Sequence, residues 1–164
     1  MKSLIIYFSR ADENYKVGYI DKGHTEIVAE YVRDLTGADM FKVEPLIPYA
    51  RDYATCIEEA KMRIGNAPIK EELKDISSYD VIYIMSPIYW GTYAPEIETQ
   101  LKKLDFTGKI IKIITTHEGS GLGNIVSDIK RICRGATVLD DALAIQGRFA
   151  KDSKHIIKSW IDKI

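Results

Sequence analysis

The sequence predicts an α/β fold: a doubly wound five-stranded parallel sheet in the order 2-1-3-4-5, with helices on both faces. Three observations carry this expectation. Apolar runs too short for helices, such as Leu4–Phe8 and Val81–Met85, lack the alternation of a half-exposed strand and read as strands covered on both faces. These runs alternate with segments whose apolar residues recur at helical spacing, and right-handed crossovers then place helices on both sides of a parallel sheet. Several strands also run into loops rich in Gly, Ser, Thr or Pro. The order 2-1-3-4-5 suits a chain of this size. It puts the switch point between the first and third strands, so the loops after Phe8 and Met85 face each other across a crevice bordered by the loop after Thr116.

Taken in order, Leu4–Phe8 is the first buried strand and ends at Ser9–Arg10. The fourteen residues from Arg10 to Gly23 form a connection long enough to signal function or disorder. Ile27, Val28, Tyr31, Val32 and Leu35 then mark a helix closed by Gly37. Ala38–Glu44, half polar and followed by Pro45 and Pro48, reads as an edge strand. A helix from about Asp52 to Ile64, with Tyr53, Ile57, Ala60 and Ile64 as its stripe, ends at Gly65–Pro68. Glu71–Ser78 gives only a weak helical turn before the central strand. Pro95 suits the first turn of a helix burying Ile97, Leu101 and Leu104. Lys109–Thr116 is a fourth strand, followed by a helix with the stripe Leu122, Ile125, Val126, Ile129, Ile132 and Cys133. The last strand falls within Ala136–Leu139 and Ala142–Ile145, interrupted by Asp140–Asp141. A final helix carries Ile156, Ile157, Trp160, Ile161 and Ile164. No linker or composition shift divides the chain, so residues 1–164 read as one domain.

Composition narrows the function. A formal net charge of -1, with no basic run, gives no pull toward nucleic acid or an anionic membrane. The N-terminal apolar run is too short for a signal peptide or a span, which points to the cytoplasm. Cys56 and Cys133 stand far apart with no metal-ligand or redox spacing and read as reduced, partly buried thiols.

Two loops carry candidate chemistry. Gly23–His24–Thr25 opens a helix, where free N–H groups and the helix dipole favour an anion such as phosphate, with Ser9 and Thr25 able to add hydroxyls; Thr25 acting merely as a helix cap is the competing reading. Ser86–Pro87–Ile88–Tyr89–Trp90–Gly91 combines a fixed backbone, two aromatics and a permissive glycine, which suits a flat ligand. Other motifs fail. Gly119–Ser120–Gly121–Leu122–Gly123 lacks the third glycine of a dinucleotide fingerprint, and Glu118 and Leu122 stand where a nucleophile elbow needs glycine. A phosphorelay receiver needs an aspartate at the end of the central strand, where this chain has Met85–Ser86–Pro87.

Ile5–Ile6–Tyr7–Phe8–Ser9, then Gly23–His24–Thr25, Ala29 and Val32, resembles the phosphate-loop signature of flavodoxins, interrupted by the long loop. Ser86–Gly91 is similar to the segment flanking the isoalloxazine ring in that family, and Thr115–Gly123 occupies the place of its third loop. The resemblance implies bound FMN. It implies that Ser9, His24 and Thr25 hold the phosphate, that Pro87, Ile88, Tyr89, Trp90 and Gly91 frame the ring, and that backbone groups across Thr116, His117, Glu118, Gly119 and Gly121 meet its polar edge. Between the two aromatics, Trp90 is expected to make the ring contact. Arg10 lies within reach of the phosphate, whereas Tyr15 and Tyr19 read as exposed loop residues. The third loop has no aromatic, which leaves open whether one ring face is accessible.

The function that follows is electron transfer by an FMN-binding protein, with a redox protein or a small-molecule electron acceptor as partner and neither nucleic acid nor membrane involved. The alternative is an FMN-dependent NAD(P)H oxidoreductase acting on quinone-like or nitroaromatic substrates. Near-neutral charge counts against a steered shuttle, and the lack of a visible NAD(P)H site counts against the enzyme. A flavin-free structural relative would need all three loops to be punctuation.

Overall fold

The structure, a computed structural model, describes residues 1–163; Ile164, expected on the last helical stripe, lies outside the described residues. β1 (Ser3–Tyr7), β4 (Asp39–Lys42), β5 (Val81–Pro87), β6 (Ile110–His117), β7 (Thr137–Val138) and β8 (Leu143–Gln146) form one sheet, all pairings parallel. Its order is β4-β1-β5-β6-β7, with β8 also on β6. β7 and β8 are two pieces of one fifth strand, split where Asp140–Asp141 interrupts the apolar run, so the order is the expected 2-1-3-4-5.

The helices are α1 (His24–Thr36), α2 (Tyr53–Arg63), α3 (Pro95–Leu101), α4 (Ile125–Ile132) and α5 (Lys154–Asp162), with a 3-10 helix at Gly147–Asp152. They cover two apolar layers. One sheet face packs Ile5, Tyr83 and Met85 against α1 and α5 through Val28, Val32, Ile157 and Trp160. The other packs Ile6, Ile84 and Ile113 against α2, α3 and α4 through Cys56, Ile97 and Ile129. Side chains alternate across each strand, so a strand apolar at every position serves both layers. Both cysteines are free and buried; burial pushes Cys56 up to about 11 and Cys133 to about 12, leaving each a neutral thiol.

Three local expectations change. The long connection holds an antiparallel hairpin, β2 (Asp12–Asn14) and β3 (Gly18–Ile20), anchored by the Glu13 N–H to Arg51 O at 3.0 Å. Glu71–Ser78 is not helical: Gln100, buried on α3, bonds both the N–H and the C=O of Leu73 at 2.7 and 2.9 Å, and so replaces local backbone pairing. On α2 the buried residues are Cys56 and Ala60, while Ile64, expected in the stripe, is 58% exposed. Tyr53 and Ile57 face a cavity.

Candidate functional site

The C-terminal ends of β1, β5 and β6 open into a cavity of about 370 Å³ at the switch point, within the range of small-molecule sites. Its two ends differ chemically.

At the polar end, Gly23 is the N-cap of α1 and has no side chain to cap with. Ser9 supplies the cap through space, its Oγ accepting the Glu26 N–H at 3.0 Å. Gly23 is needed for that approach, since a Cβ there would lie 2.1 Å from Ser9 Oγ and 2.8 Å from the Arg10 backbone. The N–H groups of His24 and Thr25 have no acceptor among the described residues, which leaves the first turn of α1 able to take an anion. Thr25 is buried and its Oγ1 lies 2.7 Å from Thr116 Oγ1, so one hydroxyl pair joins the start of α1 to the end of β6. Arg10 is almost fully buried. Its terminal nitrogens donate to Glu13 O, Ala50 O and Arg51 O, while its buried Nε has no partner among the described residues.

His24 and His117 also line this end. Burial holds both imidazoles below their ordinary value, against the pull of Glu118. His117 Nδ1 accepts the Gly119 N–H at 2.9 Å, which places the proton of the neutral ring on Nε2.

The apolar end is built by Pro87–Gly91 and α2. Tyr89 and Thr92 exchange backbone hydrogen bonds at 2.8 and 3.3 Å around Trp90 and Gly91, whose φ values are 53° and 83°. Two positive φ angles in a closed four-residue turn mark type I′. Glycine adopts this conformation freely; tryptophan does so under strain, which marks a backbone position held by function or packing. The turn sends the adjacent rings apart. Tyr89 packs edge-on against Phe8 and Tyr49, with centroids 5.8 and 6.4 Å away. Trp90 is 47% exposed and lies over α2, its Nε1 donating to Ile57 O at 2.7 Å and Lys61 Nζ sitting 5.0 Å from its ring. Beside it Tyr15 stacks on Tyr53 at 5.3 Å.

The cavity therefore unites Arg10, His24 and Thr25 with Pro87, Ile88, Tyr89, Trp90 and Gly91, and with Thr116, His117 and Glu118. Ser9, Gly119 and Gly121 are not among its lining residues. Ser9 is turned to Glu26, Gly119 is tied to His117, and the Gly121 carbonyl takes the Thr115 hydroxyl at 3.0 Å. Sequence reasoning misses Asn14, Tyr53, Ile57 and Ala60 as cavity residues; Tyr15 is the exposed loop residue expected, 50% exposed, and also lines the cavity. The helical spacing of 53, 57 and 60 was visible, but that spacing does not say whether a stripe faces core or ligand.

Beneath the apolar end lies a buried polar cluster. Glu96 on α3 is fully buried, accepts the Tyr49 hydroxyl at 2.9 and 3.0 Å, and lies 3.4 Å from Arg63 Nη1; the Arg63 guanidinium covers the Tyr49 ring at 3.9 Å. Burial raises the Glu96 carboxyl above its ordinary 4.5 despite these partners. A carboxyl raised on folding binds more protons in the native state, so its contribution to stability is fully present below its unfolded pKa and is lost as pH rises through the folded value. Urea unfolding from pH 4 upward is expected to show this decline, and Glu96→Gln to flatten it.

Comparison with known proteins agrees with this geometry. The family profile described as Flavodoxin matches residues 14–164. The chain belongs to the flavodoxin family. No curated protein matches it in sequence. Among solved structures, a candidate flavoprotein from Bacteroides eggerthii is 23% identical with a TM-score of 0.75, covering 99% of this chain and 97% of that one. A flavoprotein from Lactobacillus acidophilus, solved in complex with FMN, is 21% identical with a TM-score of 0.63, covering 92% and 97%. Flavodoxin 1 from Bacillus cereus is 13% identical with a TM-score of 0.54, covering 100% and 99%. At these identities the solved structures establish a shared flavodoxin fold; the profile match establishes the family.

Proposed function

We propose that this flavodoxin-family chain binds one FMN at the switch point and passes electrons in the cytoplasm to a redox protein or a small-molecule acceptor. The observation that carries the reading is the two-ended cavity, which sets anion donors against aromatic surface across the first and third strands of the sheet order. The FMN complex of the Lactobacillus relative supports it.

The residues fit the cofactor. The unpartnered Nε of Arg10, the Thr25 hydroxyl and the first N–H groups of α1 would hold the phosphate. Trp90 and the Tyr15–Tyr53 pair offer flat surface to the ring, and the 116–118 segment offers polar groups to its edge. When bound, FMN supplies the redox chemistry, and the protein sets its position and surroundings.

The purified protein should show the absorbance of oxidised flavin, persisting under anaerobic NADPH and bleaching with dithionite. Bleaching by NADPH alone would replace the carrier by a reductase. Trp90→Leu is expected to weaken FMN by about 0.5–1.5 kcal/mol beyond lost area. It should also remove most of the FMN-dependent quenching of tryptophan fluorescence, because the other tryptophan, Trp160, lies in the core layer packed against α1 and α5. Normal FMN binding by this variant, with loss in Tyr89→Leu, would transfer the ring contact to Tyr89.

A further inference from the structure

The cofactor reading gives the Glu118 side chain no partner of its own. Glu118 follows the end of β6 with its side chain only 9% exposed. Its Oε1 accepts the Arg148 N–H at 3.0 Å, and its buried Oε2 has no partner among the described residues. Such an oxygen is costly to leave without a donor. His24 is the titratable group beside it: its Nδ1 lies 4.0 Å from the other oxygen, Oε1, a distance that makes a charge pair with a protonated ring rather than a hydrogen bond. The chain entering the 3-10 helix runs so close to both groups that a Cβ on Gly147 would lie 2.1 Å from His24 Nδ1 and 2.3 Å from Glu118 Oε1. With Nδ1 turned to the carboxylate, Nε2 is the nitrogen left for the cavity that His24 lines.

We propose that Glu118 makes FMN binding proton-coupled: the phosphate is taken with His24 as an imidazolium, its Nδ1–H given to Glu118 and its Nε2–H to the phosphate. This rests on the FMN reading above. Each FMN bound draws one proton from solvent onto His24, and nothing is oxidised or reduced. Glu118 is a positioning residue, acting through His24.

The surrounding charges set the balance. From the 3-10 helix, Lys151 opposes a charge on His24, and Arg148 stands beside Glu118. On α1, Glu26 is paired with Lys42 at 2.8 Å; Arg10 and His117 line the cavity with His24. Without phosphate, burial and Lys151 act against Glu118 and hold the imidazole down. A dianion on the Nε2 side tips it toward the charged form.

The test is calorimetric titration of the apoprotein with FMN, between pH 7 and 9, in buffers of different ionisation enthalpy. The phosphate stays largely dianionic across that range. His24 is followed by NMR in the free and loaded protein. Between the free and the bound His24 pKa the wild type should take up close to one proton per FMN, with affinity falling up to tenfold per pH unit across that interval, as linkage of one proton requires. His24→Asn should abolish the uptake and Glu118→Gln should cut it by more than half. Gly147 is not in the left-handed region, so alanine suits its backbone. Gly147→Ala drives a methyl between the two side chains without changing charge and should act as Glu118→Gln does. Riboflavin should bind without proton uptake in every variant. Full uptake in Glu118→Gln, or tighter FMN binding by that variant at every pH, would overturn the proposal. FMN binding by the wild type with no uptake defeats this proposal alone, whereas no FMN binding at all defeats the cofactor reading and this with it.

Discussion

Replacing Phe8 with alanine is expected to destabilise the protein by about 3–5 kcal/mol, the usual cost of deleting a fully buried phenyl ring. Phe8 is among the largest fully buried side chains, and it sits where β1 gives way to the site. Its ring meets Tyr49 and Tyr89 edge-on at 6.2 and 5.8 Å, and those two rings meet each other. The cavity left by alanine therefore lies directly under the Tyr89 wall of the site, so FMN affinity should fall together with stability. Domains of ordinary stability have about 5–15 kcal/mol in all, which makes this loss a large share. Urea unfolding checks it. Phe8→Leu, which keeps most of the volume, should cost about 1 kcal/mol. Equal losses for the two variants would place the contribution of Phe8 in its ring edges rather than in packing.

Removing the Thr25 hydroxyl should have the largest effect on the cofactor for one atom deleted. Thr25→Ala is expected to weaken FMN by about 1–3 kcal/mol, the scale of one hydrogen bond to a charged group. Riboflavin, which lacks the phosphate, should bind almost as before. The variant also strips the buried Thr116 hydroxyl of its 2.7 Å partner, so some stability is lost as well. Thr25→Ser keeps the hydroxyl and should restore most of both. Equal loss for FMN and riboflavin would show that Thr25 serves the junction of α1 and β6 rather than the phosphate. Fluorescence titration with each ligand decides between them.

Much of the fold was legible because burial on both faces leaves an unmistakable apolar run. Val81–Met85, without a charge, and Lys109–Thr116, whose interior is broken only by Lys112, read as strands, and Asp140–Asp141 marks the break in the last one. The hairpin at Asp12–Ile20 was not legible: its strands are three residues each and partly exposed, and the anchor of the first is the Arg51 carbonyl, some forty positions away, which takes the Glu13 N–H. The cap on α1 was hidden for the same reason, since Ser9 reaches Glu26 through space, not through the N-cap position.

The same division holds within the site. The loops were readable because strand ends at a switch point are fixed by topology, and Gly23–His24–Thr25 and Tyr89–Trp90–Gly91 carry distinctive residue types. What helices and loops bring from elsewhere was not. Tyr53 and Ile57 follow a helical period that fits core and cavity alike, and Tyr15 gains its meaning only from stacking on Tyr53. Glu96, Tyr49 and Arg63 lie far apart in sequence and meet only when α3 packs beside the loop before α2. A buried carboxylate carries no local sequence signature.

The proposed site holds one FMN, its phosphate at the start of α1 and its ring beside Trp90. Native mass spectrometry of the full chain, after incubation with equal concentrations of FMN, FAD and riboflavin, tests it most directly. The expected spectrum is dominated by one FMN per chain, with riboflavin and FAD adducts minor. A chain that stays bare, or one that prefers FAD or takes riboflavin as readily as FMN, would contradict it.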